Sequence, residues 1–483
     1  MKTNGAARAW ARWMLASCVS SVVLCGHVNS AHAQEVASAS PLMSPAEFGR
    51  RLSDVVATHP DVQGARKQAD AAQLGIDAAR AGYYPRVSVG STLGRDQVSD
   101  SGANTSVDRR SVELTLRQNL YTGGKLGAET DLAESERTIQ DAIARQTMQR
   151  VALDAMSAHV QVARASLLLA VARSSEAATA QLLALESRRE QLGGAAITDA
   201  EFARTRLALA QERTRQYEIQ LDEATNTYRQ LYLNEPDVER LADLAAPSAR
   251  LSQGLDAFLK QASAINPDLK LAELQRTKAE HAVELASAQN WPTVEVVGTQ
   301  RVGGNSSGTG NRSDSSIGLR VGYSLYSGGE IRARVGAAQA QLDATTQSSV
   351  AIRRRVEEQV RTLWRRWSGA ADRVQLLESA ASDASRVFLN RRRLREFGRE
   401  TAVAVLDAQL EYNNVLMSLV NASFDGRLNS LRLMNAVGAL VPEGDARAWY
   451  AGYVDTTDAG LALRRRLVQA ADVVASDTSV TKK

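Results

Sequence analysis

Few residues in this chain are spaced for chemistry. Gly304-Asn305-Ser306-Ser307-Gly308 matches the Gly-x-Ser-x-Gly pattern that exposes a nucleophilic serine on a sharp turn between a strand and a helix. Here it lies in a Gly/Ser/Asn-rich stretch running to Ser316, which reads as a loop joining two strands. His59, His159 and His281 stand far apart, with no His-x-x-x-His and no cysteine beside them, so their spacing supports no metal site. Gly123-Gly124-Lys125 lacks the earlier glycine that a phosphate-cradling loop requires. No cofactor is implied and no catalytic residue is assigned. Lys plus Arg (58) barely exceeds Asp plus Glu (54), and a net charge of +4 spread over 483 residues gives no reason to expect a nucleic-acid partner.

With catalysis set aside, the elements themselves carry the information. The chain is 44% hydrophobic, 23% charged and only 5% aromatic, a composition that suits long helices better than compact cores. Residues 1–33 read as a secretory signal peptide: Lys2, Arg8 and Arg12 precede an apolar stretch from Met14 to Cys25, then Ala31-His32-Ala33, with cleavage expected before Gln34. Both cysteines, Cys18 and Cys25, fall inside it. The mature chain is then expected to have no lipid-acceptor cysteine, and it shows no later run of 18 apolar residues. If it enters a membrane, it does so as β-strands.

The most informative signal is duplication. His59-Pro60-Asp61-Val62 returns 207 positions later as Asn266-Pro267-Asp268-Leu269, and Tyr84-Pro85 returns as Trp291-Pro292 at the same shift. Leu120-Tyr121-Thr122-Gly123-Gly124 returns as Leu325-Tyr326-Ser327-Gly328-Gly329, and Leu192-Gly193 as Phe397-Gly398, at a shift of 205. Within each copy a three-and-four apolar period ends at the proline and becomes two-fold: Val87, Val89 and Leu93, then Val112, Leu114 and Leu116, alternate with polar residues and Gly. The second copy shows Val294 and Val296, then Ile317, Leu319 and Val321. These patterns predict strands at about 86–98, 109–121, 293–302 and 315–326. After each hairpin about 70 residues, Lys125 to Leu192 and Glu330 to Phe397, hold no proline. Each predicts one helix of about 100 Å. A glycine break then turns the chain into a second helix, Asp199 to Tyr232 or Val403 to Leu440. The stripes Leu182, Leu185, Arg189, Leu192 and Leu376, Leu377, Phe388 suggest helix-on-helix packing.

Strands apolar on one side and polar or Gly on the other match an outer-membrane barrel wall. Tyr83, Tyr84 and Tyr121 bracket the first hairpin and Trp291, Tyr323 and Tyr326 the second, as an interfacial girdle does. Four strands cannot close a conducting barrel and an open edge is forbidden in lipid, so the wall must come from several copies of the chain.

At these residues the sequence resembles the TolC family of outer-membrane efflux proteins, over roughly Ser44 to Val441. The resemblance implies a mainly α fold with a β-barrel part, built as two repeats, 34–250 and 251–441, of helix, β-hairpin and long helix, with a C-terminal periplasmic tail from 442 to 483. It further implies a homotrimer whose twelve-stranded β-barrel continues into a periplasmic α-helical barrel, set in the outer membrane of a Gram-negative bacterium. The implied partners are outer-membrane lipid, a periplasmic adaptor protein, and an inner-membrane ABC transporter or proton-driven pump. In the family the tunnel closes at its periplasmic tip. Carried over by motif, Gly193 to Asp199 places Thr198 and Asp199 in the gate link, with Arg395 or Arg399 as candidate partners. The two constriction positions fall on Ala404 and Asp407, so only the second keeps its carboxylate.

Three functional readings follow. The chain is the exit duct of a type I protein secretion system, the outer-membrane component of a multidrug efflux pump, or a periplasmic coiled-coil scaffold. The Tyr83-Tyr84-Pro85 sequence, the absence of a lipid-acceptor cysteine and the ending Leu431 to Leu440 look more like the secretion branch. The arginine clusters at 353–355, 365–366 and 391–393 read as solvated helix faces, and Trp364 and Trp367 as packing between helices. The tail, with Trp449, Tyr450 and Tyr453, is expected at the equator of the helical barrel.

Overall fold

Each half of the chain carries the same helix start. In α2 (Pro60–Arg80) the His59 ring accepts a hydrogen bond from the Asp61 backbone at 3.2 Å; in α7 (Pro267–Ala288) Asn266 Oδ1 accepts from Leu269 N at 3.0 Å. Proline takes the first helical position in both, where its missing N–H is no loss. The duplicated aspartate then anchors each short helix to the first long one. Asp61 accepts from Arg150 at 2.8 Å, and Asp268 accepts from Gln146. The repeated motif is therefore a cap and a clasp.

The computed structural model describes residues 42–457, apart from 101–102, 194–195, 253, 306–311 and 443, together with Arg465. The expected signal peptide, Ser306 and Ser307 of the serine pattern, and most of the tail beyond Thr457 lie outside the described residues.

The duplication is nearly exact in length. The first half runs α1 (Pro45–Thr58), α2, β1 (Arg86–Asp100), β2 (Ala103–Tyr121), α3 (Lys125–Gln191) and α4 (Ile197–Tyr232). A short α5 (Ser248–Leu251) precedes the second half, which runs α6 (Leu255–Ile265), α7, β3 (Thr293–Asn305), β4 (Arg312–Gly322), α8 (Glu330–Glu396) and α9 (Ala402–Val437), closed by α10 (Ala446–Ala451). α3 and α8 are each 67 residues long, and α4 and α9 each 36.

The four strands form one antiparallel sheet in chain order. Strand bounds differ from the periodicity reading in three ways, the simplest being that β3 runs on to Asn305. The first hairpin stays paired as far as Asp100 with Ala103, into the stretch between the two expected strands, because a ladder needs only backbone groups and not apolar side chains. β4 starts at Arg312 and stops at Gly322, so Tyr323, Leu325 and Tyr326 lie beyond it, in the turn that leads through Ser327 to Gly328 and Gly329.

The register puts the apolar positions on one face. Val87, Leu116 and Gly298 share a row with Ile317, and Val89, Leu114 and Gln300 share one with Ser315. The opposite face carries Ser88, Thr115, Glu113, Thr299, Arg301, Ser316 and Arg320. Val87, Val89, Leu93, Ile317, Leu319 and Val321 are all more than 60% exposed, so nothing among the described residues covers the apolar face. β1 and β4 leave both sheet edges unpaired among the described residues.

The helices pair as the repeats require. α2 packs on α3, α7 lies between α3 and α8, α4 packs on α3, and α9 packs on α8 and α3. The stripe expectation holds only in part: Leu182, Leu377 and Phe388 face the core, whereas Leu185, Leu192 and Leu376 are exposed. α3 also holds an apolar window long enough to cross a membrane, a run the sequence reading did not register; two-thirds of it is buried inside the protein, as a core helix requires. The core centres on mid-α3, α1, α9 and the end of α4, where Phe48, Leu52, Met156, Tyr228, Leu428, Leu431 and Leu433 are fully buried. Each such side chain contributes about 1.5–3 kcal/mol. Tyr450 and Tyr453 join this core, and a Leu244–Val454 bridge ties the tail to the α4–α5 connection. Trp364 and Trp367 pack against it as expected.

Candidate functional site: the helical tip and the sheet

Two regions carry the candidate residues. The tip is where α3 turns into α4 and α8 into α9. Both turns use a glycine in the left-handed region, Gly193 (φ 75°) and Gly398 (φ 70°), a conformation that side chains with a Cβ resist. Thr198 and Asp199 then sit in the first turn of α4, and Arg395 in the last turn of α8, where its charge complements the helix terminus.

The structure brings Arg395 and Asp199 to 4.0 Å, but Asp199 is a minor partner. Arg395 Nε donates to Glu186 Oε1 at 3.0 Å, its Nη2 bonds Glu186 Oε2, and its Nη1 donates to the Glu400 carbonyl at 3.0 Å. Glu186 is fully buried and also accepts from Arg189 at 3.2 Å. Arg395 thus fastens α8 to α3 within one protomer. Arg399 is exposed and forms no ion pair among the described residues, and Thr198 is exposed.

Asp407 is half exposed and accepts from Arg206 of α4 at 2.9 Å, with the Arg206 guanidinium 4.8 Å from the Phe202 ring centroid. Ala404, one helical turn earlier, offers its carbonyl to Arg391 at 3.2 Å. The sequence gives no sign of Glu186 or Arg206 at the tip, and it assigns Arg189 to a packing stripe and Arg391 to a solvated face, whereas Arg189 bonds Glu186 and Arg391 bonds the Ala404 carbonyl. Glu186 looks like half of an ordinary i,i+3 surface pair with Arg189; only the approach of a residue 209 positions away reveals its burial. Higher up, Gln409 and Asn413 of α9 donate to Thr179 and Ser175 of α3, a buried polar clasp between the repeats.

The sheet is the second region. The six aromatics expected as a girdle, Tyr83, Tyr84, Tyr121, Trp291, Tyr323 and Tyr326, are 48–89% exposed. They fall at one end of the sheet, the end that meets the helices, because both hairpins begin and finish there. Gln118 and Asn119 donate to the carbonyls of Tyr83 and Gly82 at 2.9 and 3.0 Å, fixing the exit of α2 against β2. On the polar face Arg301 donates to Glu113 at 3.0 Å and Arg320 to Glu295 at 2.9 Å, both across directly opposed strand positions.

Asp131, His281 and Glu284 bring their ligand atoms within 4.8 Å of one another, a grouping missed by a search for histidine and cysteine spacings alone. His281 and Glu284 already bond each other at 3.1 Å, and both carboxylates are exposed, so the group is a helix-surface polar cluster.

A four-stranded sheet with bare edges and a bare apolar face, standing on two pairs of long helices, meets its counterpart among known proteins. The family model described as outer membrane efflux protein matches residues 52–232 and 258–439, one match for each repeat. The chain belongs to the outer membrane efflux protein family. It is 25% identical to the outer membrane protein TolC of Vibrio cholerae over 421 residues, 84% of this chain and 94% of that one. It is equally similar, at 25% over 402 residues, to TolC of Escherichia coli, covering 79% of this chain and 80% of that one. Among solved structures, the outer membrane protein VceC of Vibrio cholerae superposes with a TM-score of 0.70 at 16% identity, over 82% of this chain and 98% of that chain. As a family member, the chain is an outer-membrane channel that extends into the periplasm. Its activity is conduction, and the scaffold reading falls away.

Proposed function

We propose that this member of the family is the exit duct of a type I protein secretion system, a passive conduit gated at its periplasmic tip. In this reading three copies close a twelve-stranded barrel. A periplasmic adaptor docks on the helical barrel, and an inner-membrane ABC transporter supplies the energy. The observation that carries the trimeric duct is the bare sheet: Val87, Leu93, Ile317 and Leu319 are 65–80% exposed, beside two unpaired edges that lipid does not tolerate. The secretion branch is favoured by Tyr83-Tyr84-Pro85 at the mouth of β1 and by the Leu431 to Leu440 ending. That ending has a structural task, since the Gly438 carbonyl accepts from Gln149 at 2.9 Å and Leu440 is fully buried.

At the tip, Thr198, Asp199 and Arg395 belong to the closed gate, and three copies of Asp407 line the constriction. The second reading, an outer-membrane component of a multidrug pump with a proton-driven partner, is favoured by the family's own description as efflux proteins. Deleting the gene separates the two. Loss of a large protein from the culture supernatant with unchanged drug tolerance supports secretion; the reverse result supports efflux and sinks the proposal.

A further inference from the structure

One row of the sheet, on the polar face at the start of β1, breaks a local rule. Arg86 of β1 and Arg117 of β2 are register partners, which sets two like charges directly opposite. Cβ atoms of such neighbours stand about 4.5–5.5 Å apart, and like charges there destabilise a sheet. Neither arginine forms an ion pair or a side-chain hydrogen bond among the described residues, and both are exposed. The row continues through Val297 and Gly318 with no carboxylate to offset them.

The acids nearest on that face are already engaged. Glu113 accepts from Arg301 at 3.0 Å, and Glu295 from Arg320 at 2.9 Å. Two guanidinium groups are therefore left over at one level of each protomer. A like-charge pair that costs local stability, with Glu113 in electrostatic reach of Arg117 but no ion pair or hydrogen bond to either arginine within the protomer's described residues, marks a place where function overrides folding preference.

We infer that Arg86 and Arg117 form an anion-attracting collar where the barrel meets the helical tunnel, six guanidinium groups in the trimer, two from each chain. The inference rests on the twelve-stranded reading above and adds the class of solute the duct favours: polyvalent anions bearing phosphate or carboxylate groups. The planar guanidinium fork matches the geometry of both groups. A ring of one sign against a low-dielectric wall focuses its field into the passage. The neighbouring rows, Ser88 with Thr115 and Gly90 with Glu113, add no free positive charge, so the collar is confined to one level.

The test is block of single trimers in planar bilayers by inositol hexakisphosphate, added to each side in turn. Block of the wild type from the barrel side is expected, at least tenfold weaker in R86Q/R117Q and retained in R86K/R117K, which keeps the charge. Block should also weaken sharply between 0.1 and 1 M KCl, because the screening length falls from about 10 Å to about 3 Å; this arm needs no variant. No block of the wild type, or equal block of R86Q/R117Q, would overturn the collar while leaving the duct intact. A chain that stays monomeric and passes no current would instead overturn the duct, and the collar with it.

Discussion

At the scale of residues, the tip shows how a single charge decides a geometry. Arg395 is 16% exposed and Glu186 fully buried, so removing Arg395 leaves Glu186 with Arg189 alone, and removing Glu186 leaves Arg395 with the Glu400 carbonyl and a distant Asp199, at a cost below the about 3–5 kcal/mol of a fully stranded buried charge. R395M and E186M are each expected to loosen the tip, read as raised single-channel conductance. The double variant should return most of the way to wild type, since replacing both charges by apolar groups removes the desolvation penalty. Additive effects of the two changes would show that the pair is not a latch. Asp407 gives a second prediction through its partner. R206Q releases the carboxylate that Arg206 now holds at 2.9 Å, so block by divalent cations should strengthen in R206Q and vanish in D407A. If conductance and block are the same in D407A and wild type, Asp407 does not line the constriction.

At the scale of elements, the junction between sheet and helices depends on a turn only glycine can make. Gly123 has φ 63°, and a Cβ there would lie 2.4 Å from the Trp291 Cβ. G123A is therefore expected to cost at least about 1–2 kcal/mol from the left-handed backbone alone. The clash with the second hairpin adds to that, and loss of heat-stable trimer on a gel is the readout. Helix pairing has its own signature in pH. Arg150 holds the Asp61 carboxyl below its ordinary value, Lys278 and then Gln140 do the same for Glu136, and Arg173 with Arg215 for Glu218. Three of these contacts bridge helices: α2 to α3, α7 to α3, and α4 to α3. Carboxyl values depressed by folding add stability that is complete above the unfolded values of about 4 and is lost as pH falls through the folded ones. The melting temperature should hold from pH 7 to 5 and drop below about pH 4. The D61N/E136Q/E218Q variant should show a shallower drop, and an equal drop would assign acid lability to other groups.

At the scale of the whole molecule, the mature protein should require detergent and migrate as a trimer, because each protomer leaves an apolar face and two strand edges bare. A freely soluble monomer by sedimentation would contradict the barrel. Much of this architecture is legible in the residues alone. Duplicated Pro-Asp and Gly-Gly signals, a two-fold apolar period and 67-residue proline-free runs each report on contacts between near neighbours in the chain, which physical chemistry ties directly to residue type. That is why the repeats, the hairpins and the long helices follow from the sequence. It also explains why the hairpin ends are misjudged: a strand continues wherever backbone groups find a partner, whatever the side chains. The ion pairs at the tip obey no local rule. Glu186 meets Arg395, and Arg206 meets Asp407, across about 200 intervening residues, and Arg86 faces Arg117 only through the register of a hairpin. The partner of a charge is decided by which surfaces the long helices bring together, and that is a property of the packed molecule, since any of the chain's many arginines would satisfy a carboxylate equally well in sequence.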